Sequence, residues 1–345
     1  MKKPILYTLI LSGLLLGILL LPSCFKEIDS VPIPRTVEET FTVQNSIRDL
    51  QSYFRFYENT VLEVSTSELR VWDLAFESAG EGSRVLAGWT SYSEVVGSGK
   101  YDFNEITQGL ILDFKENSDE WGFTDPAYLN TIDSVILRNW EDGEIYIMQK
   151  GLDFFVFSFI SKTPDSYTFK FASARSLDMV QEATIYRSTG FNYVYYSFDE
   201  EAAVQVEPDS REWDIVCSPY RGWWETSEAG VFAPFNLSGI LINNENGVRI
   251  AQVFNPQISF EELDLGSIGD YEFTDWKGAI GSNWKLLGDQ NSGNIYTMDP
   301  DKKYLMEKYD YETDKIMYFK LQIVDYKLNG ADHHPTIEFK FLGEV

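Results

Sequence analysis

Basic residues and histidines are scarce in this 345-residue chain. It has 28 Lys and Arg against 54 Asp and Glu, and its formal net charge is −26. Nucleic acids and anionic lipid surfaces bind proteins through a positive footprint, so this charge argues against both as partners. The two histidines, His333 and His334, are neighbours in the sequence. We expect neither to be catalytic, because no Ser, His and acid arrangement accompanies them, and we expect the chain not to be an enzyme.

Cysteine is also scarce, and the first of the two cysteines ends an apolar segment. The chain starts with MKKPILYTLILSGLLLGILLLPSC, which has the basic start, apolar core and small residues of a secretory signal. LPSC resembles the lipobox of bacterial lipoproteins, which implies removal of a signal peptide (1–23) and lipidation of Cys24. An uncleaved membrane anchor is the alternative, because the run from Ile5 to Leu21 has 17 residues, near the lower limit for spanning a bilayer.

Removal of the signal peptide leaves a more acidic chain with one thiol for the fold. Lys2 and Lys3 are lost, so 26 basic residues face 54 acidic ones and the net charge becomes −28 (26 − 54). Residues 24–40 are polar and contain proline, as expected for a tether. With Cys24 acylated, Cys217 has no intrachain partner. The fold must therefore be held by its apolar core, for which 44% hydrophobic residues are ample.

Several phrases of the sequence recur in the same order in its two halves. The matched pairs are YFRFYENTVLEV (53–64) with YYSFDEEAAVQV (195–206), VWDLAF (71–76) with EWDIVC (212–217), RNW (138–140) with SNW (282–284), YIM (146–148) with YLM (304–306), and YTFKFA (167–172) with IEFKFL (337–342). From the Trp-Asp phrase onward the offset grows from 141 to 170 residues, as insertions in the second half would cause. The matches predict an internal duplication, with a first domain at 41–177 and a second at 186–345.

The matched phrases alternate like β-strands. Trp72, Leu74 and Phe76 are predicted to lie on one face of a strand, and Trp213, Ile215 and Cys217 on the equivalent face of another. Cys217 is thereby predicted to be a buried core thiol. No long amphipathic helix is predicted after residue 40. The predicted class is all-β, with two tandem antiparallel β domains behind the signal peptide and tether.

The order of these motifs resembles the HmuY family. The resemblance rests on the lipobox, the YYSF strand, WDLAF and WDIV, the NW pair, and the closing strands MYFKLQIVDY and TIEFKFL. HmuY proteins are surface lipoproteins of Bacteroidota, and the best-known members bind haem in an all-β fold and pass it to an outer-membrane receptor. The resemblance implies that this chain is anchored by lipid in the outer membrane at the cell surface. It implies haem as a ligand, and an outer-membrane receptor or another surface protein as a partner.

The chain departs from this family in its axial ligands for haem iron. Characterised members use two His or Met ligands, and one His lies shortly after the NW motif, where this chain has Leu286 and Leu287. His333 and His334 are adjacent and cannot reach opposite faces of one iron. The remaining weak candidates for metal ligation are Met179 and Met298, which lie in turn-like contexts.

One insertion of the second copy concentrates aromatic side chains. The stretch SPYRGWWETSEAGVFAPFN is predicted to be a Gly/Pro-rich loop. Its aromatic rings could stack on a planar ligand while its arginine meets a carboxylate. The alternative is that these side chains cover the contact between the two copies or extend the core. The ligand-binding candidates are Tyr220, Arg221, Trp223, Trp224, Phe232 and Phe235.

Two functions follow from the sequence. The first is a non-enzymatic surface lipoprotein that binds a ligand, with haem as the ligand that the resemblance implies. The second is a structural or protein-interaction lipoprotein that has lost haem binding. The scarcity of histidine favours the second, and the aromatic insertion favours the first.

Replacing Cys24 with Ala tests the lipid anchor. The variant has no thiol for acylation, so we expect the protein to leave the membrane fraction. Fractionation of cells that express each form, followed by immunoblotting, measures the change. Retention of Cys24→Ala in the membrane would contradict the lipobox assignment, and Cys217→Ala is the matched control that should stay membrane-bound.

Overall fold

Antiparallel β-strands make up most of the structure, a computed structural model that describes residues 26–28, 40–44, 50–65, 71–79, 84–118, 120–128, 143–225, 230–287, 296–311, 313–329 and 332–345. The strands are β1 (Lys26–Ile28), β2 (Thr40–Gln44), β3 (Leu50–Arg55), β4 (Thr60–Ser65), β5 (Leu74–Glu77), β6 (Val85–Ala87), β7 (Glu94–Lys100), β8 (Ile145–Lys150), β9 (Asp153–Lys162), β10 (Ser166–Ser173), β11 (Gln181–Tyr186), β12 (Tyr193–Ser197), β13 (Ala202–Val204), β14 (Ile215–Glu225), β15 (Phe232–Ile242), β16 (Val248–Val253), β17 (Lys285–Leu287), β18 (Tyr296–Met298), β19 (Lys303–Asp310), β20 (Lys315–Asn329) and β21 (Asp332–Glu344). The predicted all-β class is confirmed.

The strands form four principal sheets. Sheet 1 has the order β16-β19-β20-β21-β2, sheet 2 the order β1-β4-β3-β14-β15, sheet 3 the order β13-β12-β5-β6, and sheet 4 the order β11-β10-β9-β8-β7. Strands β17 and β18 form a separate two-stranded ribbon. Every pairing between these strands is antiparallel.

The sheets stack as four layers with a core between each neighbouring pair. Phe54 of sheet 2 packs with Phe319 of sheet 1 in the first core, and Phe76 of sheet 3 packs with Phe169 of sheet 4 in the third. Between them lies a middle core, here called the seam, where sheets 2 and 3 meet back to back. The seam contains Tyr53, Trp72, Ala75, Leu86, Trp89, Ala127, Tyr193, Tyr195, Val206, Trp213, Val216, Tyr220 and Leu241.

The outer faces of sheets 1 and 4 are covered by short helical segments. A ten-residue helix, α1 (Gln108–Asn117), packs Ile111 against sheet 4, and its first turn is capped by Thr107, whose hydroxyl accepts from the Leu110 N–H. The 3₁₀ helix Leu265–Asp270 lies over sheet 1. Further 3₁₀ helices span Phe103–Glu105, Pro126–Tyr128, Ser210–Glu212 and Asn244–Asn246. Helix α1 was not foreseen because it buries a single side chain and so leaves little apolar periodicity in the sequence.

The opening strands of the two predicted copies each pair with a strand of the other copy, a pairing that we call the exchange. Strand β12, at the start of the second copy, pairs with β5 of the first, whereas β3 of the first copy pairs with β14 of the second. The same holds for β11, which pairs with β10, and β2, which pairs with β21. This pairing crosses the predicted boundaries of 41–177 and 186–345. The division of the chain into domains at those positions stays a prediction.

The aspartates of the two Trp-Asp phrases hold the exchanged strands. The Phe198 N–H donates to Asp73 Oδ2 at 2.7 Å, and the Phe56 N–H donates to Asp214 Oδ2 at 2.7 Å. The donors lie 142 residues apart and the acceptors 141. Each carboxylate also pairs with a lysine that follows the matched YIM or YLM phrase. Lys150 Nζ lies 2.8 Å from Asp73 Oδ1, and Lys308 pairs with Asp214.

The predicted facing of the two tryptophans is wrong. Leu74 and Phe76 point into the core between sheets 3 and 4, but Trp72 lies in the seam on the opposite side. Trp213 departs from Ile215 and Cys217 in the same way. The strands begin only after the aspartates, at Leu74 and Ile215, so strand alternation does not extend back to the tryptophans. Cys217 is fully buried, as predicted.

Removing the carboxylate of Asp214 is expected to destabilise the fold strongly. Asp214→Ala leaves the Lys308 ammonium in a buried site and deprives the Phe56 N–H of its acceptor. Breaking such a pair costs about 3–5 kcal/mol. Urea unfolding gives the free energy. Asp199→Ala is the matched control, because Asp199 also bonds a lysine but is 61% exposed, and it should cost under about 1 kcal/mol. Equal losses in the two variants would contradict this assignment.

Candidate functional site

The aromatic insertion of the second copy forms a long β-hairpin instead of a loop. Strands β14 and β15 pair continuously from Ile215↔Ile242 to Glu225↔Phe232. Strand β3 pairs with β14 only as far as Cys217, so the hairpin continues well past its neighbour in sheet 2. Pro219, Gly222 and Pro234 lie within the paired strands. Proline and glycine at these positions predict a loop. The aromatic residues between them favour β-structure, and the strands form.

The register divides the six ligand-binding candidates between the two faces of the hairpin. Residues directly opposite each other share a face, and successive residues alternate. Arg221, Trp223 and Phe232 therefore lie on one face, because their partners are Asn236, Pro234 and Glu225. Tyr220, Trp224 and Phe235 lie on the other, with Leu237, Ala233 and Gly222 as their partners. A single flat shelf for a planar ligand would need the rings on one face.

The base of the hairpin contacts the first copy. Tyr220 is buried in the seam. Arg221 pairs with Glu94 of β7, and its guanidinium carbon lies 5.2 Å from the centre of the Phe123 ring. Arg221 is thus held by groups of the chain itself. Tyr220 and Arg221 therefore cover the contact between the predicted copies, which was the alternative interpretation of this insertion.

Asp125 attaches the hairpin to the first copy through a backbone bond. Its Oδ2 accepts from the Trp223 N–H at 3.1 Å and its Oδ1 from the Ala127 N–H at 2.9 Å. The ring of Trp223 also lies against Phe123, with centroids 5.3 Å apart. Asp125 is 1% exposed, and burial raises its pKa to about 6 although both N–H groups favour the charged form. Asp125, Phe123 and Glu94 lie about 100 residues from their partners, and no spacing in the sequence indicates these contacts.

Three aromatic side chains of the hairpin remain exposed. Trp223 is 45% exposed, Phe232 56% and Phe235 48%. Gly222, which faces Phe235 across the strands, has no side chain to cover that ring. We call Trp223, Phe232 and Phe235 the aromatic tip. Exposed aromatic side chains gathered on one element usually mark an interaction site.

The outer edge of the hairpin is protected along part of its length. Strand β15 is the edge strand of sheet 2. At its end, the Ile240 N–H donates to the Gly281 carbonyl at 2.9 Å, and Lys285 Nζ donates to Ser238 Oγ at 2.7 Å. Pro234 offers no N–H to an added strand. Contact with a partner at the aromatic tip would therefore rest on side chains more than on strand addition.

The weak candidates for metal ligation are placed in separate surroundings. Met179 is 64% exposed, before β11. Met298 ends β18 and packs against the core between sheets 1 and 2. His333 and His334 belong to β21, where they pair with Leu328 and Lys327, and their side chains lie outside the described part, as does the predicted lipidation site Cys24. Among the described residues, no group of three or more His, Cys, Asp or Glu is arranged to hold a metal ion.

The fold brings Met298 into the same corner as the His333–His334 pair. Met298 pairs with Lys285 across the β17–β18 ribbon. The Lys285 ammonium lies 5.0 Å from the ring centre of Trp284 and 5.5 Å from that of Tyr326. Tyr326 pairs with Pro335, the neighbour of His334. Burial lowers the pKa of Lys285 to about 7. No spacing in the sequence links these segments.

No helix in the described part of the chain is long and apolar enough to cross a membrane. No family model matches the chain, and no curated protein or solved structure matches it either.

Buried carboxyl groups at the contact between the copies predict greater stability on mild acidification. Glu207 accepts from the Tyr193 N–H and the Tyr195 hydroxyl, and burial raises its pKa to about 7. Asp125 has its pKa raised to about 6. A raised pKa adds stability that is complete below the unfolded value and is lost as pH rises through the folded value. The melting temperature should therefore rise as pH falls from about 8 to about 5.

Thermal unfolding followed by circular dichroism at several pH values measures this effect. Glu207→Gln should reduce the pH dependence, because the amide does not titrate in this range. Glu262→Gln is the matched control, since Glu262 lies at the surface with an ordinary turn bond to Ser259. A melting temperature that falls throughout the same interval would contradict the prediction.

Proposed function

We propose that this chain is a lipid-anchored surface protein of the HmuY type that binds a protein partner through the aromatic tip and catalyses no reaction. The anchor and the family rest on the lipobox and the motif order of the sequence. The observation that carries the binding proposal is the distribution of Trp223, Phe232 and Phe235 over both faces of the hairpin. A protein groove can enclose both faces of such a ribbon, whereas a planar ligand contacts one.

The exposed rings of the tip and the net charge of the chain indicate the chemistry of the partner. Aromatic anchors that become buried at the centre of an interface contribute most of its binding energy. The partner should therefore present an apolar groove. The mature chain carries a net charge of −28, which is 26 basic minus 54 acidic residues, so a basic rim on the partner would speed association. A surface protein or receptor of the same membrane would meet these requirements.

Replacing exposed rings of the tip tests the proposal. Trp223→Ser together with Phe232→Ser should abolish the contact, because the partner loses both anchors from one face. Chemical crosslinking on intact cells, followed by mass spectrometry, identifies proteins attached to the chain. We expect one basic surface protein to be crosslinked to the wild type and lost from the variant.

The matched control places the same changes at exposed rings elsewhere. Phe254 is 81% exposed and Tyr186 70% exposed, so Phe254→Ser with Tyr186→Ser removes comparable apolar surface. This control should keep the crosslinked partner. Identical crosslinks in the tip variant and the wild type would contradict a binding role for the tip, as would loss of the partner from the control alone.

Haem binding is a second candidate, favoured by the corner that contains Met298. Axial ligands of one iron must come from separate segments. Met298 lies on β18 and the His333–His334 pair lies on β21, so the ligands come from separate strands. The contacts of Lys285 and Tyr326 described above bring the two strands close together. A thioether and an imidazole are both donors that haem iron accepts. These residues would hold the haem, and they fit the family's ligand types although not its positions.

Titration with haemin tests this second candidate. The wild type should shift the Soret band at micromolar protein, and Met298→Leu or the double change His333→Ala with His334→Ala should weaken the shift. Met179→Leu is the matched control and should bind as the wild type does. An unchanged Soret band with the wild type would exclude haem as the ligand and leave the protein-binding proposal standing.

A further inference from the structure

A surface cavity of about 160 Å³ lies at the second copy's end of the exchanged strands. Its walls include Arg55 and Glu58 from the β3–β4 turn, Lys308 and Tyr309 from β19, and Tyr311 after it. The cavity is on sheets 1 and 2 and shares no residue with the aromatic tip. One water needs about 10–15 Å³ of space measured in this way, so the cavity has room for several waters. It is too small for a haem and large enough for a single small ring.

The equivalent corner of the first copy has a different arrangement of side chains. Lys150, which corresponds to Lys308, is bonded by Asp73 at 2.8 Å and by Asp199 at 3.1 Å. Two residues separate β8 from β9 there, whereas four separate β19 from β20. At the position of Asp199 the second-copy corner has Tyr57. Both corners contain the aspartate and the lysine. The cavity in the second copy arises from the longer connection between the strands and from Tyr57 at the position of Asp199.

Acidic partners already hold the cations of the cavity. Arg55 Nε lies 2.6 Å from Glu58 Oε2, Arg211 Nη2 lies 2.7 Å from Asp209 Oδ2, and Lys308 pairs with Asp214. An anionic ligand would have to compete with these carboxylates. A neutral ligand with hydroxyl groups can donate to the Glu58 carboxylate and accept from the Arg55 guanidinium without displacing either from its pair. The walls thus suit a ligand rich in hydroxyl groups.

Two tyrosines give the cavity an aromatic wall. The rings of Tyr309 and Tyr311 are 4.8 Å apart at an angle of 83°. Tyr309 is held by a bond from its hydroxyl to Asp314. Gly247, at φ 73°, lies beneath them, and a Cβ there would be 3.5 Å from the Tyr311 hydroxyl and 3.3 Å from Tyr309 Cβ. The absent side chain lets the tyrosines approach the backbone. Aromatic faces bind the C–H faces of rings that carry polar groups at their edges.

We propose that this cavity binds a single neutral sugar ring, of hexose size, with its apolar face against Tyr311 and its hydroxyl groups on the Arg55–Glu58 pair. The site goes beyond the proposed function, because it uses neither the aromatic tip nor the Met298 corner.

Saturation-transfer NMR on the full chain tests the proposal, in a detergent without a sugar headgroup. The probes are D-glucose, D-galactose and N-acetyl-D-glucosamine, with glycine and L-alanine as zwitterionic comparators. We expect signal transfer to at least one sugar and none to the amino acids. Tyr311→Ala should weaken binding of that sugar about tenfold, whereas Tyr311→Phe should retain it because the ring remains.

Two further variants locate the site. Leu152→Ala changes an exposed residue in the corresponding turn of the first copy and should leave sugar binding unchanged, as should the double change at Trp223 and Phe232. The proposal is overturned if none of the three sugars shows transfer. It is equally overturned if Tyr311→Ala binds as tightly as the wild type, or if the amino acids bind in place of the sugars. These results leave the test of the aromatic tip unaffected.

Discussion

A buried aspartate that accepts the backbone of the other copy determines how this chain is assembled. Asp73 and Asp214 are both completely buried, and each is compensated by a lysine from a neighbouring sheet and by the N–H that follows β12 or β3 in the other predicted copy. A buried carboxylate is tolerated only when its charge and lone pairs are satisfied. The exchanged strands meet this requirement. The repeated Trp-Asp phrase is therefore explained by the aspartate, which joins the copies, as much as by the tryptophan.

The seam follows from this exchange and positions the aromatic hairpin. Because β3 and β12 are each shared with the other repeat, sheets 2 and 3 pack back to back over a core rich in Trp and Tyr. Trp72 packs edge-on against Tyr195, and Trp213 against Tyr53, with centroids 4.9 and 5.0 Å apart. The hairpin of the insertion continues beyond Cys217 at the edge of this seam. Its base is fixed by Asp125 and Glu94 of the first copy, so the aromatic tip is held on a firm support.

The sequence predicted the fold class better than it predicted the contacts between distant segments. Alternation in the matched phrases gave the all-β class and the burial of Cys217, since both depend on local periodicity. It failed at Trp72 and Trp213, because the chain enters its strand only after the aspartate. It also missed the strands around Pro219 and Pro234. The exchange, the role of Asp125 and the cavity beside Tyr311 depend on contacts between segments that are far apart in the sequence, which periodicity does not encode. The lipid anchor and the family stay predictions from the sequence.

Hydrogen exchange of the opening hairpins tests the exchange of strands most directly. In Asp214→Ala, we expect faster exchange at Phe56 and in the surrounding segment 53–62, with segment 195–206 still protected. In Asp73→Ala, we expect the reverse, with faster exchange at Phe198 and protection retained at Phe56. Mass spectrometry of peptic peptides resolves the two segments. The opposite result would contradict the exchange of strands. In that case Asp73→Ala would speed hydrogen exchange at Phe56, and Asp214→Ala would speed it at Phe198.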